Sequence, residues 1–326
     1  MDFQPTEDQR DLRAGVRALL EGRYGREALR AAVDAAAGTG TGTGAAVDRG
    51  LWRELGEAGF FALRLPESEG GVGLGLPEAV LVFEEAGRAL VPGPLVATHL
   101  AAGVVPGAAA GTAVVTAFDL AGDLAGDLVA YLGEADAVLG AAVLPVGEPV
   151  RAADPLTPLH RVARPGGAEA SASASRSASR SVSVSAYVSE GALLTAALQV
   201  GSALRTVELA VRYAGEREQF GQPIGAFQAV KHTCAQMLVR AEVARTAVYA
   251  AAVTGDPGEA AAAKLLADGA AVGNARDCLQ VHGGMGFTWE ADVHLHLKRA
   301  WVRAEQWRTA AEAEELLAAE LQDSAG

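Results

Sequence analysis

Four long runs with helical spacing close this chain. From Leu193 onward LLTAALQVGSALRTVELAVRYAGEREQ, AFQAVKHTCAQMLVRAEVARTAVYAAAV and GEAAAAKLLADGAAVGNARDCLQVH follow one another, and a fourth extends from about Ala291 to Leu321. Short connections join them, with Pro257 at a helix start and Gly283-Gly284 at a helix stop. Long amphipathic helices on short links can bury their apolar stripes in few ways, and the sequence predicts an antiparallel four-helix bundle.

Upstream, residues 1–111 are helical in shorter runs. Leu12, Val16, Leu19 and Leu20 make one stripe, LWRELGEAGFFAL makes a second amphipathic helix, and LPEAVLVFEEAGRAL a third, with Pro77 near its start and Gly87 near its end. The alternating Gly-Thr of AAVDAAAGTGTGTGAAV reads as a flexible loop, because no strand precedes it as a phosphate cradle would need. Between 112 and 190 the pattern changes. TAVVTAFDL, DLVAYLG, DAVLGAAVLPV and RSVSVSAYVS are short, β-branched and separated by Gly, Pro or Asp, which predicts strands. The alternation from Ser181 to Ser185 predicts a strand with one wet face, and SASASRSASR before it an exposed loop. The expected class is α+β: an N-terminal all-helical domain (1–111), a small central β domain (112–190) and a C-terminal helical bundle (191–326).

Composition excludes several roles. A net charge of −13 is the wrong sign for a nucleic-acid backbone. No apolar run reaches the roughly 18 residues that cross a membrane. The first residues, MDFQPTEDQRDLRAGVRALL, place acids before the first arginine and read as an amphipathic helix rather than a signal peptide. Cys234 and Cys278 both fall in helical patterns, as buried thiols of a reducing cytoplasm would. His294 and His296 are two apart, on different faces of a helix, so no metal site is expected.

The order of helices, small β unit and helical bundle, with the residues at its joints, resembles the acyl-CoA dehydrogenase family over most of the chain. YAGEREQFGQPIGAFQAVKHTCAQML resembles the family's R-x-x-F-G segment and the helix after it. LQVHGGMGFTWE resembles its Q-x-x-G-G-x-G-[FY] segment, and the start and the 51–94 stretch resemble its first helices. The resemblance implies FAD bound at a subunit interface. It implies that Arg217 pairs with the pyrophosphate, that Phe220 packs beside the nucleotide, that Gln228 offers a polar side chain there, and that Gln280, Gly283 and Gly284 lie along the adenosine end. A guanidinium presents a planar fork to phosphate oxygens, and glycines admit a cofactor without a Cβ in the way. Each residue also has a plainer reading: Arg217 pairing with Glu216 or Glu218, and Gly283-Gly284 capping a helix.

The family reaction is α,β-dehydrogenation of an acyl thioester. A desolvated carboxylate removes the α proton while the flavin accepts the β hydride. Most members carry that glutamate in a Y-E-G-T stretch, which corresponds here to QWRT, so that Trp307 occupies the usual base position. A minority carry it early in the first bundle helix, where register on Gly201 and Phe220 falls on Gly191, next to Glu190. Within a continuous last helix Glu305 would point nearly opposite Trp307 and pair with Arg308. Glu190 is the remaining candidate base. The T-E-P-x-x-G-S and W-I-[TS] stretches of the central domain are absent, and DPLTPLHRVARP looks like a shortened subgroup that works as half of a mixed oligomer.

Two functional readings follow. The first is a flavoprotein subunit for fatty acyl or steroid side-chain thioesters, homo- or hetero-oligomeric, whose partner supplies the base. The second is a non-redox protein on the same scaffold that acts as a structural or thioester-binding subunit. A helical scaffold with no ligand is a third. The thioester carrier is either CoA or an acyl carrier protein.

Overall fold

The computed structural model describes residues 5–38, 47–120, 126–163 and 182–325. The Gly-Thr run beyond Gly38 and the SASASRSASR stretch lie outside the described residues. Helix α1 (Glu7–Arg23) opens on a reciprocal cap: Gln9 N donates to Thr6 Oγ1 at 3.2 Å and Thr6 N to Gln9 Oε1 at 3.0 Å. Then come α2 (Arg26–Gly38), α3 (Arg49–Glu57) capped by Asp48, α4 (Leu76–Arg88) and the short α5 (Leu95–Leu100). Their apolar stripes meet around Trp52, Leu55, Phe60, Phe61 and Phe83, all buried.

The β unit is small. β1 (Val115–Thr116) runs parallel to β3 (Ala137–Val138), while β2 (Asp127–Ala130), β5 (Leu159–Val162) and β4 (Gly147–Val150) form an antiparallel sheet in the order β2-β5-β4. The bundle follows as α6 (Val182–Glu216), α7 (Gln228–Thr254), α8 (Pro257–His282) and α9 (Val293–Ala304), with α10 (Ala310–Ala325) beyond. A two-residue hairpin of β6 (Glu218–Gln219) and β7 (Gln222–Pro223) links α6 to α7. Helices α4 and α6 cross at glycines: a Cβ at Gly201 would sit 1.8 Å from the Glu84 carbonyl oxygen and one at Gly87 2.0 Å from that of Leu198. The mostly helical chain with a small sheet region is the α+β arrangement the pattern predicts. Among the described residues no helix is long and apolar enough to cross a membrane.

Two expected elements are corrected. The strand at Ser181–Ser185 is replaced by helix from Val182, so that Glu190 lies inside α6 rather than between a strand and a helix. Extending an existing helix gains a hydrogen bond per residue without a new nucleus, and this outweighs a short Val-Ser alternation. The single last helix is split: α9 stops at Ala304 and α10 starts at Ala310. Between them Trp307 adopts the left-handed conformation, φ 62°, and its N–H donates to the Asp119 carbonyl at 2.6 Å. Gln306 bridges to Leu120 and its amide donates to Asp119 Oδ2 at 2.8 Å. These bonds to the β unit replace the helical ones that the local sequence would have made.

Candidate functional site

The two positions at which the family carries its base come together. The Trp307 indole, only 2% exposed, lies on Gly191: a Cβ there would stand 2.3 Å from indole Cδ2 and 2.4 Å from Cε3. The ring therefore occupies the space above a bundle residue that has no side chain, and neither position offers a carboxylate. Glu190, one residue along α6, turns away by about 100°. Its carboxylate is ion-paired to Arg64 in the turn after α3 and is about a quarter exposed. That ion pair commits the Glu190 carboxylate to Arg64, away from the Trp307 ring.

Glu305 is exposed although the helical-wheel geometry assumed for it does not exist, since α9 ends one residue earlier. Arg308 donates to the Pro257 carbonyl at 3.4 Å, not to Glu305.

Beside Trp307 is a cavity of about 30 Å³, with Gly93, Leu95, Tyr131, Arg303 and Gln306 in its lining. That is the share of one water molecule, not room for an acyl chain. Arg303 is fully enclosed there and donates to the Leu198 carbonyl at 3.2 Å. Burial, and Arg299 one turn away, push its guanidinium down to about 9. Neither Arg303 nor the Asp119 latch was found from sequence. Both depend on contacts between segments far apart in the chain, and only the i, i+4 arginines among buried apolar residues of α9 could have hinted at the first.

The other six candidate residues gather at one end of the bundle. Arg217 directly follows α6, with its N–H on the Tyr213 carbonyl (2.9 Å) and its own carbonyl receiving Ile224 N–H (2.7 Å). This fixes the backbone while the exposed guanidinium has no side-chain partner among the described residues. Neither Glu216 nor Glu218 takes it. The β6–β7 turn is Phe220-Gly221 with both residues at positive φ (54° and 77°), the pair of conformations of a type I′ hairpin. Phenylalanine tolerates that conformation poorly, yet it stands there 91% exposed, its ring edge-on to Phe227 at 6.0 Å. Gln228 starts α7 and Gln280 sits in the last turn of α8, both exposed. Gly283 stops α8 at φ 58°, ψ −140°, a region open in practice only to glycine, and a Cβ on Gly283 or Gly284 would meet nothing within 4 Å.

The two parts of this surface are tied by the Tyr213 and His282 rings, stacked at 4.1 Å between the ends of α6 and α8. Cys278 O accepts from His282 Nδ1 at 2.8 Å, which assigns the proton to that nitrogen. An unpaired arginine, exposed aromatics, two amides and an open glycine corner fit the phosphate and adenosine portions of a dinucleotide. Arg217, Phe220, Gln228 and Gln280 are exposed to solvent at this end of the bundle. Among the described residues no cluster of three or more His, Cys, Asp or Glu is arranged to hold a metal.

Residues 6–117 match the family model for the acyl-CoA dehydrogenase N-terminal domain and residues 182–311 that for the acyl-CoA dehydrogenase C-terminal domain. Acyl-CoA dehydrogenase IpdE2 of Mycobacterium tuberculosis is 34% identical over 310 residues, covering 91% of this chain and 92% of that protein. Acyl-CoA dehydrogenase FadE34 of the same organism is 35% identical over 286 residues, 77% of this chain and 39% of its own length. Among solved structures, the ChsE4-ChsE5 complex from Mycobacterium tuberculosis superposes with TM-score 0.77 at 24% identity, over 99% of each chain. Butyryl-CoA dehydrogenase from Megasphaera elsdenii superposes with TM-score 0.76 at 20% identity, over 99% of this chain and all of that one.

Proposed function

The chain belongs to the acyl-CoA dehydrogenase family, and from that premise we propose that it is the subunit of a mixed dehydrogenase that completes a flavin site without carrying the catalytic base. The observation that carries this reading is the Trp307 indole on Gly191. Both positions for the base are taken by residues that carry no carboxylate, and the indole at 307 leaves no room for a side chain at 191. A partner subunit's carboxylate then removes the α proton of an acyl thioester.

FAD, when bound, supplies the hydride acceptor of the α,β-dehydrogenation. This chain's own residues bind and position. Arg217 holds the pyrophosphate by its fork of donors, Phe220 covers the nucleotide from the hairpin, and Gln228 and Gln280 offer amides beside it. Gly283 and Gly284 leave the adenosine end uncrowded. On the other side of the molecule Trp307 and Arg303 fill the space an acyl chain would need. We place the complex in the cytoplasm, a reading supported by the two free thiols, Cys234 and Cys278.

The test is expression of the chain alone and together with a full-length acyl-CoA dehydrogenase encoded beside it. The flavin spectrum of each preparation is recorded, and turnover is assayed with a fatty acyl-CoA and a steroid-derived acyl-CoA. Flavin retained and a thioester oxidised only in the co-purified complex is the expected result. A lone chain that binds FAD and oxidises an acyl-CoA overturns the proposal. A complex that forms without flavin favours the non-redox, thioester-binding reading instead.

A further inference from the structure

A cavity of about 250 Å³ opens between α1, α4, α6 and α9 and shares no residue with the space beside Trp307 or with the Arg217 surface. Its floor is apolar, formed by Leu20 and Leu90, both buried, with Leu29 and Leu209. Five arginines and three carboxylates also line it. Two of those carboxylates are already shared. Glu85 takes Arg13 at 2.7 Å and Arg17 at 2.6 Å, and Asp292 takes Arg26 at 2.6 Å and Arg30 at 3.6 Å. Glu208, just behind the rim, is likewise shared between Arg88 and Arg205.

Each of these acids thus stands between two guanidiniums. Arg212, exposed at the mouth, has no ion-pair or hydrogen-bond partner among the described residues. In a chain of net charge −13 this cavity holds surplus positive charge even with Glu21, its third lining carboxylate, counted. Tyr24 also lines the cavity. It is 7% exposed, and its hydroxyl is buried with no hydrogen-bond partner among the described residues.

We propose that this cavity binds a small apolar carboxylate, independent of the flavin site, with its hydrocarbon on the leucine floor and its carboxylate on Arg212 and neighbouring Arg205. The volume lies just under the range of ordinary small-molecule sites, so the ligand is short. A carboxylate suits the fork geometry of arginine, and a single charge matches the single unpaired guanidinium.

Octanoate titrated calorimetrically into the 326-residue chain tests this, with octanol as the uncharged probe of the same length. Saturable binding of octanoate, at least about tenfold tighter than octanol, is expected. Arg212→Ala, a surface change, should weaken octanoate about tenfold and leave the melting temperature alone. Leu209→Trp should fill the floor and abolish binding of both probes. Absence of binding, equal affinity for octanoate and octanol, or full octanoate affinity in both variants would each overturn the assignment. Arg212→Ala does not depend on Leu209→Trp folding, and the flavin measurements above are read separately.

Discussion

Trp307 combines two properties that conflict locally: a large β-carbon-bearing side chain and a left-handed backbone, φ 62°. The conformation costs on the order of 1 kcal/mol or more for a residue other than glycine, and it persists because the surroundings fix it. Burial of the indole on Gly191 and the N–H to Asp119 O bond do so. Trp307→Ala should therefore destabilise the chain by about 3–5 kcal/mol, as buried tryptophans do, read as a shift in urea midpoint. Gly191→Ala should destabilise as well, by about 1–3 kcal/mol, because its methyl group would overlap the ring. If the alanine at 191 is tolerated without loss, the indole is not held there in solution. Glu190 sits in the same neighbourhood but is committed to Arg64. Glu190→Gln should leave the turnover of a reconstituted complex within about twofold, and a loss of a hundredfold or more would make it the base after all.

At the scale of elements, the β6–β7 hairpin separates stability from binding. Its turn asks for residues that accept positive φ, and Phe220 is a poor choice for folding that exposes a ring instead. Phe220→Asn should hold or slightly raise the melting temperature, by a few tenths of a kcal/mol, while lowering flavin retention in the complex. Arg217→Ala should lower retention by about tenfold or more with no change in melting, since the guanidinium has no side-chain partner among the described residues to lose. A fall in melting temperature as large as the fall in retention would make these residues structural.

The Gly283 corner was legible as sequence because its chemistry is local, a Gly-Gly pair at a helix stop, whereas the hairpin was not: the run to Gln219 reads as helix, yet α6 ends at Glu216 and β6 starts at Glu218. The four bundle helices were legible by periodicity. The break after Ala304 was not, since RAEQWRTAAEAEE reads as continuous helix former and only Asp119, from the β unit, interrupts it. The meeting of Gly191 with Trp307 was out of reach for the same reason. Each position could be placed in register, but their contact depends on how α6 and the α9–α10 link cross. The Val-Ser alternation before α6 misled because period-2 patterning over a few residues competes with extension of a long helix, and extension won.

For the whole molecule, Arg299 is the point where the three parts of the chain meet. It stands on α9 in the bundle, binds the Asp154 carboxylate of the β unit, and donates to the Val91 carbonyl at 3.3 Å beyond α4. Asp154 also accepts from Thr157 Oγ1 at 2.6 Å and from Leu156 N at 3.1 Å. Both charges are buried, so removing one leaves the other without compensation. Asp154→Ala should cost about 3–5 kcal/mol and loosen all three parts together, as one cooperative transition at lower urea. Acid should act on the same global equilibrium through histidines. Burial pushes His99 down to about 4 and His296 to about 3. Both are neutral in the folded chain at pH 5, while in the unfolded chain they bind protons below about 6.5. The unfolded state thus takes up more protons, and their contribution is complete above pH 6.5 and lost as pH falls through 6.5 toward 4 and 3, at up to about 1.4 kcal/mol per unit for each. The raised carboxyl of Glu84, also pushed by burial, opposes part of this loss. The clean measurement is therefore a difference. His99→Met should flatten the fall in stability between pH 6.5 and 4.5 by about 1 kcal/mol per unit relative to the wild-type chain. A variant with the unaltered slope would mean that His99 opens to water before it is protonated.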